Sequence, residues 1–208
     1  MSSDTAHTVL LVDDHPVVRN VTRRTLEADG DITVVGEAGS AAELFDELDR
    51  LATPPDVVVL DISLPDASGL AVLPRLRARC PSTEVLVLTM HDNAFICRRA
   101  LDRGAIGFLS KGCTPETLVA SVHEVADGRR VVANHLLTAR QQVRDTALTD
   151  RELEVLRMML DGRMLVDIAR ILELSLKTVS TYRHRIEAKT GARNVEEMRT
   201  YAILHDLL

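Results

Sequence analysis

Aromatic side chains are scarce in this 208-residue chain: three Phe, two Tyr and no Trp, 2% in all. Base-stacking surfaces of the kind that read single-stranded RNA are nearly excluded, and the core must be built from Leu, Val, Ile and Ala. Cysteine is scarce too. Cys80, Cys97 and Cys113 stand alone, without a C-x-x-C pair or a His at ligand spacing. Neither a disulfide framework nor a zinc site is indicated, and reduced thiols are expected. No apolar run approaches the length of a membrane span and residues 1–8 are polar. We expect no signal peptide, no membrane anchor and a cytoplasmic location. A G-x-G-x-x-G motif is missing after the first strand pattern, which argues against a dinucleotide cradle.

What the chain does contain is organised around Asp56-Val57-Val58-Val59-Leu60-Asp61. Four large aliphatics after the breaker run Thr53-Pro54-Pro55 predict a strand buried on both faces, as in a parallel sheet. It ends on a carboxylate and enters a Pro/Asp/Ser/Gly loop. Such an Asp can simply open a turn. It also sits where open α/β sheets place their reactive crevice, beyond the carboxyl ends of the strands.

The rest of the first 128 residues alternates strand and helix. Thr8–Val12 predicts a strand ending in Asp13-Asp14-His15-Pro16, then a helix with Val17, Val18, Val21 and Leu26 as its apolar positions, closed by Gly30. Ile32–Val35 is a second strand, and Ser40-Ala41-Ala42-Glu43 opens a helix with a capping box. After the Asp61 strand, Ser68 caps a helix to Arg79 that Pro74 should kink. Glu84–Thr89 is the fourth strand, Asp92 caps the next helix, and Ile106–Leu109 is the fifth strand, followed by Ser110-Lys111. Pro115 begins a helix that stops at Gly128. Five alternations predict a doubly wound, five-stranded parallel α/β sheet.

Right-handed crossovers gather Asp13, Asp14, Asp61, Thr89 and Lys111 on one rim. Three acids that close repel one another unless a cation neutralises them, and oxygen donors suggest Mg²⁺ rather than Zn²⁺. A lysine and a hydroxyl beside metal-bound carboxylates suit a phosphoryl group.

These residues resemble the receiver domain of bacterial two-component response regulators, over about residues 7–128. The resemblance implies that Asp61 is the phosphoacceptor. It makes Asp13, Asp14, Asp61 and the Ser63 backbone carbonyl Mg²⁺ ligands, and Thr89 and Lys111 the phosphoryl contacts. It also makes Phe108 a switch aromatic, although Phe108 reads equally as plain core. Ala67 stands where relatives often carry Met. Ser63 and His91, two residues beyond Asp61 and Thr89, are expected to flank the path of an attacking water.

Charge points to the second half. Residues 1–145 hold 21 acids and 15 Lys or Arg, whereas residues 146–208 hold 10 of each. Within 175–193, Lys177, Arg183, Arg185, Lys189 and Arg193 face Glu187 alone, a candidate polyanion site or an ordinary solvated face. Residues 129–144 read as a polar linker. Thr149-Asp150-Arg151-Glu152 is a second capping box, and helices follow to Gly162, over 165–172, from Ser175 to about Lys189, and after Asn194. Two of them joined by a three-residue turn predict a helix-turn-helix in a small four-helix domain. On the helix after Ser175, Val179, Tyr182 and Ile186 share the inner face. Lys177, Ser180, Thr181 and His184 lie opposite, flanked by Arg183, Arg185 and Lys189, a pattern suited to a major groove.

Leu148-Thr149-x-Arg151-Glu152-x-Glu154-Val155-Leu156 with Lys177-Thr178-Val179-x-Thr181 resembles the LuxR-type DNA-binding domain, over about 145–208. It departs from relatives at Ser180 and Tyr182, where Lys and His are common. Together the halves resemble the NarL/FixJ response regulators. That implies phosphorylation by a sensor histidine kinase, control of transcription at double-stranded promoter DNA through Lys177, Thr178, Ser180, Thr181, Arg183, His184, Arg185 and Lys189, and a homodimer. The last helix (Val195, Met198, Ala202) is the expected pairing surface. Two other classes share parts of the pattern: a regulator that works without phosphate, and an Asp-nucleophile phosphohydrolase. The latter usually has a second acid two residues on, where this chain has Ser63.

Overall fold

A computed structural model describes residues 6–90, 94–133, 148–192, 194–204 and 207. The expected helix cap Asp92, its neighbour His91 and most of the expected linker lie outside these residues. The chain divides into two compact units at residues 139/140.

The first unit runs β1 (His7–Val12), α1 (Pro16–Glu27), β2 (Ile32–Ala38), α2 (Ala41–Arg50), β3 (Val57–Leu60), α3 (Gly69–Arg79), β4 (Glu84–Thr89), α4 (Ala94–Asp102), β5 (Gly107–Ser110), α5 (Pro115–Ala126) and β6 (Val131–Val132). All strands are parallel, in the order β2-β1-β3-β4-β5-β6. The sheet thus has six strands rather than the expected five. Val131 and Val132, in the stretch read as linker, pair with Gly107 and Phe108. Two β-branched residues are too short a run to stand out in a sequence.

Every residue of β3 is buried, as the unbroken Val57–Leu60 run requires of a central parallel strand. One layer of core joins Val9, Leu11, Val57, Val59 and Leu86 of the sheet to Leu26 of α1 and Leu118, Val122 and Val125 of α5. In α1 the buried positions are Thr22 and Leu26, whereas Val17 and Val21 are exposed. Of the four apolar positions read for that helix, Leu26 is buried and Val18 half-buried, and Thr22 takes an inner position that Val21 does not.

Caps place the helices. Ser40 accepts from the Glu43 N–H, and the Glu43 carboxylate reaches back to the Gly39 N–H rather than to Ser40 itself. The Asp66 carboxylate, from the loop after β3, adds two bonds to the same helix end, from the N–H groups of Ala41 (2.8 Å) and Ala42 (2.9 Å). Ser68 precedes α3 without a side-chain cap bond. The loop closes instead through the Ser63–Ser68 bridge and the Gly69 N–H on the Ile62 carbonyl. At Gly69 a Cβ would lie 2.2 Å from the Asp61 carbonyl oxygen, so only glycine fits.

Pro74 sits inside α3. It offers no N–H to the Leu70 carbonyl four residues earlier. Arg103, just beyond α4, donates to that carbonyl at 3.1 Å, replacing the lost helical bond and tying the end of α4 to α3.

The second unit contains α6 (Asp150–Leu160), α7 (Leu165–Ile171), α8 (Leu176–Thr190) and α9 (Val195–Leu204). The Thr149 capping box is complete, with both reciprocal bonds. Ser175 caps α8, and Gly191 ends it in the left-handed conformation (φ 74°). Between α7 and α8, Glu173 also adopts positive φ (54°), the one non-glycine residue to do so among those described. Val155, Leu156, Ile168, Val179, Ile186, Met198 and Ala202 make the core. No described helix is long and apolar enough to cross a membrane.

Arg103→Ala should cost about 0.5–1.5 kcal/mol in a denaturant titration by removing the bond to Leu70. In a Pro74→Ala background, which restores the helical N–H, the loss should shrink.

Candidate functional site

Ladder bonds carry the sheet one residue past the strands and so set the rim. The Asp13 N–H donates to the Ala38 carbonyl (3.0 Å), the Asp61 N–H to Val12 (2.8 Å) and the Lys111 N–H to Thr89 (2.8 Å). Each site residue is thereby fixed to the end of a neighbouring strand. The Lys111 ammonium lies 2.6 Å from Asp13 Oδ2 and 2.8 Å from Asp61 Oδ2, and the three side chains are 7%, 9% and 3% exposed. Asp61 Oδ1 accepts from the Ile62 N–H at 2.7 Å, and the Ser63 N–H also bonds the carboxylate. Thr89 and Phe108 are fully buried.

Burial pushes the Asp61 carboxyl above its ordinary value, against the hydrogen bond and charge of Lys111, and the Asp13 charge adds to the rise. Burial also works to lower the Lys111 ammonium, but its bonds to Asp13 and Asp61 prevail and hold it above its usual value. Lys111 is therefore the positive charge set between two carboxylates buried side by side.

Asp14 is the residue Lys111 does not satisfy. Its Oδ1 is buried without a hydrogen bond, and His15 Nδ1 lies 2.6 Å from it. Asp13, Asp14, His15 and Asp61 each offer a ligand atom within 4.8 Å of the others. An orphaned carboxylate oxygen among three acids is a donor set that fits a divalent cation.

In the second unit α8 turns Val179, Ile186 and Thr190 inward, with Tyr182 half-buried. Lys177, Ser180, Thr181, Arg183, His184 and Arg185 are exposed, and Thr178 is half-buried with its N–H in the Ser175 cap. Arg183 bonds Glu187 at 2.8 Å.

The description "Response regulator receiver domain" matches residues 9–123, and "Bacterial regulatory proteins, luxR family" matches 146–202. The response regulator UvrY of Escherichia coli K12 is 33% identical over 208 residues, covering 96% of this chain and 94% of its own. This chain belongs to the NarL/FixJ response regulators.

Solved structures of relatives agree with the response-regulator architecture. RcsB of Salmonella enterica serovar Typhimurium, bound to promoter P1flhDC in the presence of phosphomimetic BeF3-, gives a TM-score of 0.73 at 27% identity. That match covers 97% of this chain and all of the other. A structure of two RcsB dimers on two parallel DNAs gives 0.69 at 27% identity, covering 95% and 98%.

Not every residue singled out in this response regulator lies where its pattern suggested. Lys189 turns away from the exposed face of α8, its ammonium 2.6 Å from Oε2 of Glu152, whose side chain is 3% exposed. Met198 and Ala202 are buried in the core, and only Val195 of the expected pairing surface is exposed. Met198 and Ala202 thus belong to the core of their own four-helix unit. His15 was passed over, although its place directly after two acids was the signal.

Burial pushes the Glu152 carboxyl up, but the bond from Lys189 and those from Thr149 outweigh it and hold it below its ordinary 4.5. A depressed carboxyl contributes stability above that value, which is lost as pH falls through its folded pKa. The second unit should therefore lose stability as pH drops below 4.5, and Glu152→Gln should flatten the acid limb of its unfolding curve. Lys189→Met, which strands the carboxylate, should cost about 1–3 kcal/mol in urea titrations at neutral pH.

Proposed function

We propose that this response regulator is a transcription factor switched by phosphorylation of Asp61. The observation that carries the reading is the buried Asp13–Lys111–Asp61 contact at the strand ends. The receiver begins at residue 7 and extends through Val132, beyond the expected 128. The linker follows to 144 and the DNA-binding domain spans 145–208.

The phosphoryl donor is the phosphohistidine of a sensor histidine kinase or a small acyl phosphate. An Asp61 oxygen attacks phosphorus, the P–Oδ bond forms, and the bond to the donor nitrogen or oxygen breaks with its electron pair. Lys111 opposes the effect of burial on Asp61 before attack and then balances phosphoryl charge. Asp13, Asp14, Asp61 and the Ser63 carbonyl would hold Mg²⁺, which when bound offsets charge on the transferring oxygens. Phosphorylation adds roughly −1.5 to −2 charges. Lys111 and the Thr89 hydroxyl are drawn to it, and Phe108, paired beside Val87 of β4, reports the shift to β5. No turnover of a phosphate ester is required, and Ser63 provides no second acid for it.

On DNA, Lys177, Arg183 and Arg185 neutralise phosphates while Ser180, Thr181 and His184 meet base edges, with Thr178 at the helix start. Lys189 supports the helix through Glu152 instead of contacting phosphate. Dimerisation on two-fold-related sites is in keeping with the RcsB dimers on DNA. Residues other than Met198 and Ala202 must form that contact. The protein acts in the cytoplasm, where its kinase and promoter partners meet it.

Mass spectrometry after incubation with acetyl phosphate tests the receiver. Wild type should gain one phosphoryl group in the presence of Mg²⁺, and Asp61→Asn should gain none; a variant that labels like wild type would sink the assignment. For DNA, Arg185→Ala should weaken binding similarly on all sequences and flatten the salt dependence by about one unit or less. His184→Ala or Thr181→Ala should cost about 1–3 kcal/mol on the target and relax preference at one base pair. Binding to a randomised DNA library separates the two behaviours.

A further inference from the structure

We infer that His15 is a nitrogen ligand at the acidic rim, so that the site takes a borderline divalent ion such as Ni²⁺ in addition to a hard one. The inference rests on reading that rim as a metal site.

The two sides of the rim are chemically different. Lys111 holds Oδ2 of both Asp13 and Asp61. On the other side His15 Nδ1 lies 3.4 Å from Asp13 Oδ1 and 2.6 Å from Asp14 Oδ1. The latter is the buried oxygen that lacks a hydrogen bond. Nitrogen and oxygen atoms bound to one ion at about 2.0–2.2 Å stand roughly 3–4 Å apart. The four donors of the rim lie within 4.8 Å of one another, so shifts of less than about 2 Å, inward for the wider pairs and outward for His15 and Asp14, let them share an ion.

His15 is also available for the task. It occupies the N-cap position of α1 with extended backbone (φ −92°, ψ 105°), yet its side chain makes no cap bond, and Pro16 follows it at the first turn. Its own N–H donates to Asp13 Oδ1 at 2.9 Å, which anchors the backbone beside the acids. The ring itself is largely exposed and can turn. Among the described residues no other group of His, Cys, Asp and Glu offers ligand atoms this close together.

Ion chemistry separates the roles. Mg²⁺ prefers oxygen and keeps water in its open positions. Imidazole favours Ni²⁺, Zn²⁺ and Cu²⁺, and at equal geometry these ions bind more tightly than the hard ones. His15 should thus matter for Ni²⁺ and hardly at all for Mg²⁺. Because both ions need Asp61, they compete, and a rim that holds Ni²⁺ is closed to Mg²⁺.

The test is calorimetric titration of the untagged full chain, at one pH, with Mg²⁺, with Ni²⁺, and with Ni²⁺ in excess Mg²⁺. Competition by Mg²⁺ isolates the rim from the other histidines. The Mg²⁺-displaceable Ni²⁺ binding should weaken roughly tenfold or more in His15→Gln, the scale on which even an outer partner of a metal ligand matters, while Mg²⁺ affinity moves less than about threefold. Asp61→Asn should weaken both ions. Unchanged Ni²⁺ binding in His15→Gln, or equal losses for the two ions, overturns the role of His15 and leaves the Mg²⁺ site standing. Mg²⁺ binding that ignores Asp61→Asn overturns the metal reading of the rim and the His15 ligand with it.

Discussion

The first unit depends on one ammonium group. Lys111 reaches two buried carboxylates that belong to different strands, within 2.8 Å of each. Remove its charge and Asp13 and Asp61 repel each other in a poorly solvated crevice, where ionised groups are costly. With Asp14 the rim carries three negative charges against one positive, a surplus of two that matches a divalent cation. Strand order makes this possible. The order β2-β1-β3-β4-β5-β6 brings the ends of β1 and β3 side by side and places β5 beyond β4, two strands from β3. A lysine side chain is long enough to cross that gap, and a shorter cation would not be.

The second unit repeats the arrangement for a different purpose. Lys189 and Glu152 join the end of α8 to the start of α6. Glu152 belongs to the capping box as well, so the same carboxylate ends one helix's orphaned donors and fastens another helix. The angle at which α8 presents Ser180, Thr181 and His184 is set by this pair and by the Val179 and Ile186 contacts. For the base-edge contacts proposed for α8 such rigidity matters, because they tolerate little displacement.

Features written in a few adjacent residues were legible. The Val57–Leu60 run, the Thr149 box, Ser175, Gly191 and Pro115 each act locally, so their positions translate directly into elements. The rim was legible too, because strand ends in this topology converge whatever the side chains are. What escaped depended on neighbours distant in the chain. Val17 and Val21 looked like core until Thr22 took the inner position. Lys189 counted as one more cation until Glu152, 37 residues earlier, claimed it. Met198 and Ala202 looked spare because the size of the core they complete is a property of four helices together. Val131 and Val132 form a strand only because β5 offers them an edge.

Gly69 sets where this receiver can bend. Its bare Cα lies against the Asp61 carbonyl, and Asp66 fastens the intervening loop to α2. From Asp61 towards α2 and α3 the rim is stiff: a displacement there would break two helix-capping bonds or collide with backbone. On the opposite flank Thr89 and Lys111 follow the β4–β5 ladder, and Phe108 pairs on its outer side with a strand only two residues long. A load applied at Asp61 therefore meets a fixed leaf on the α2 and α3 side.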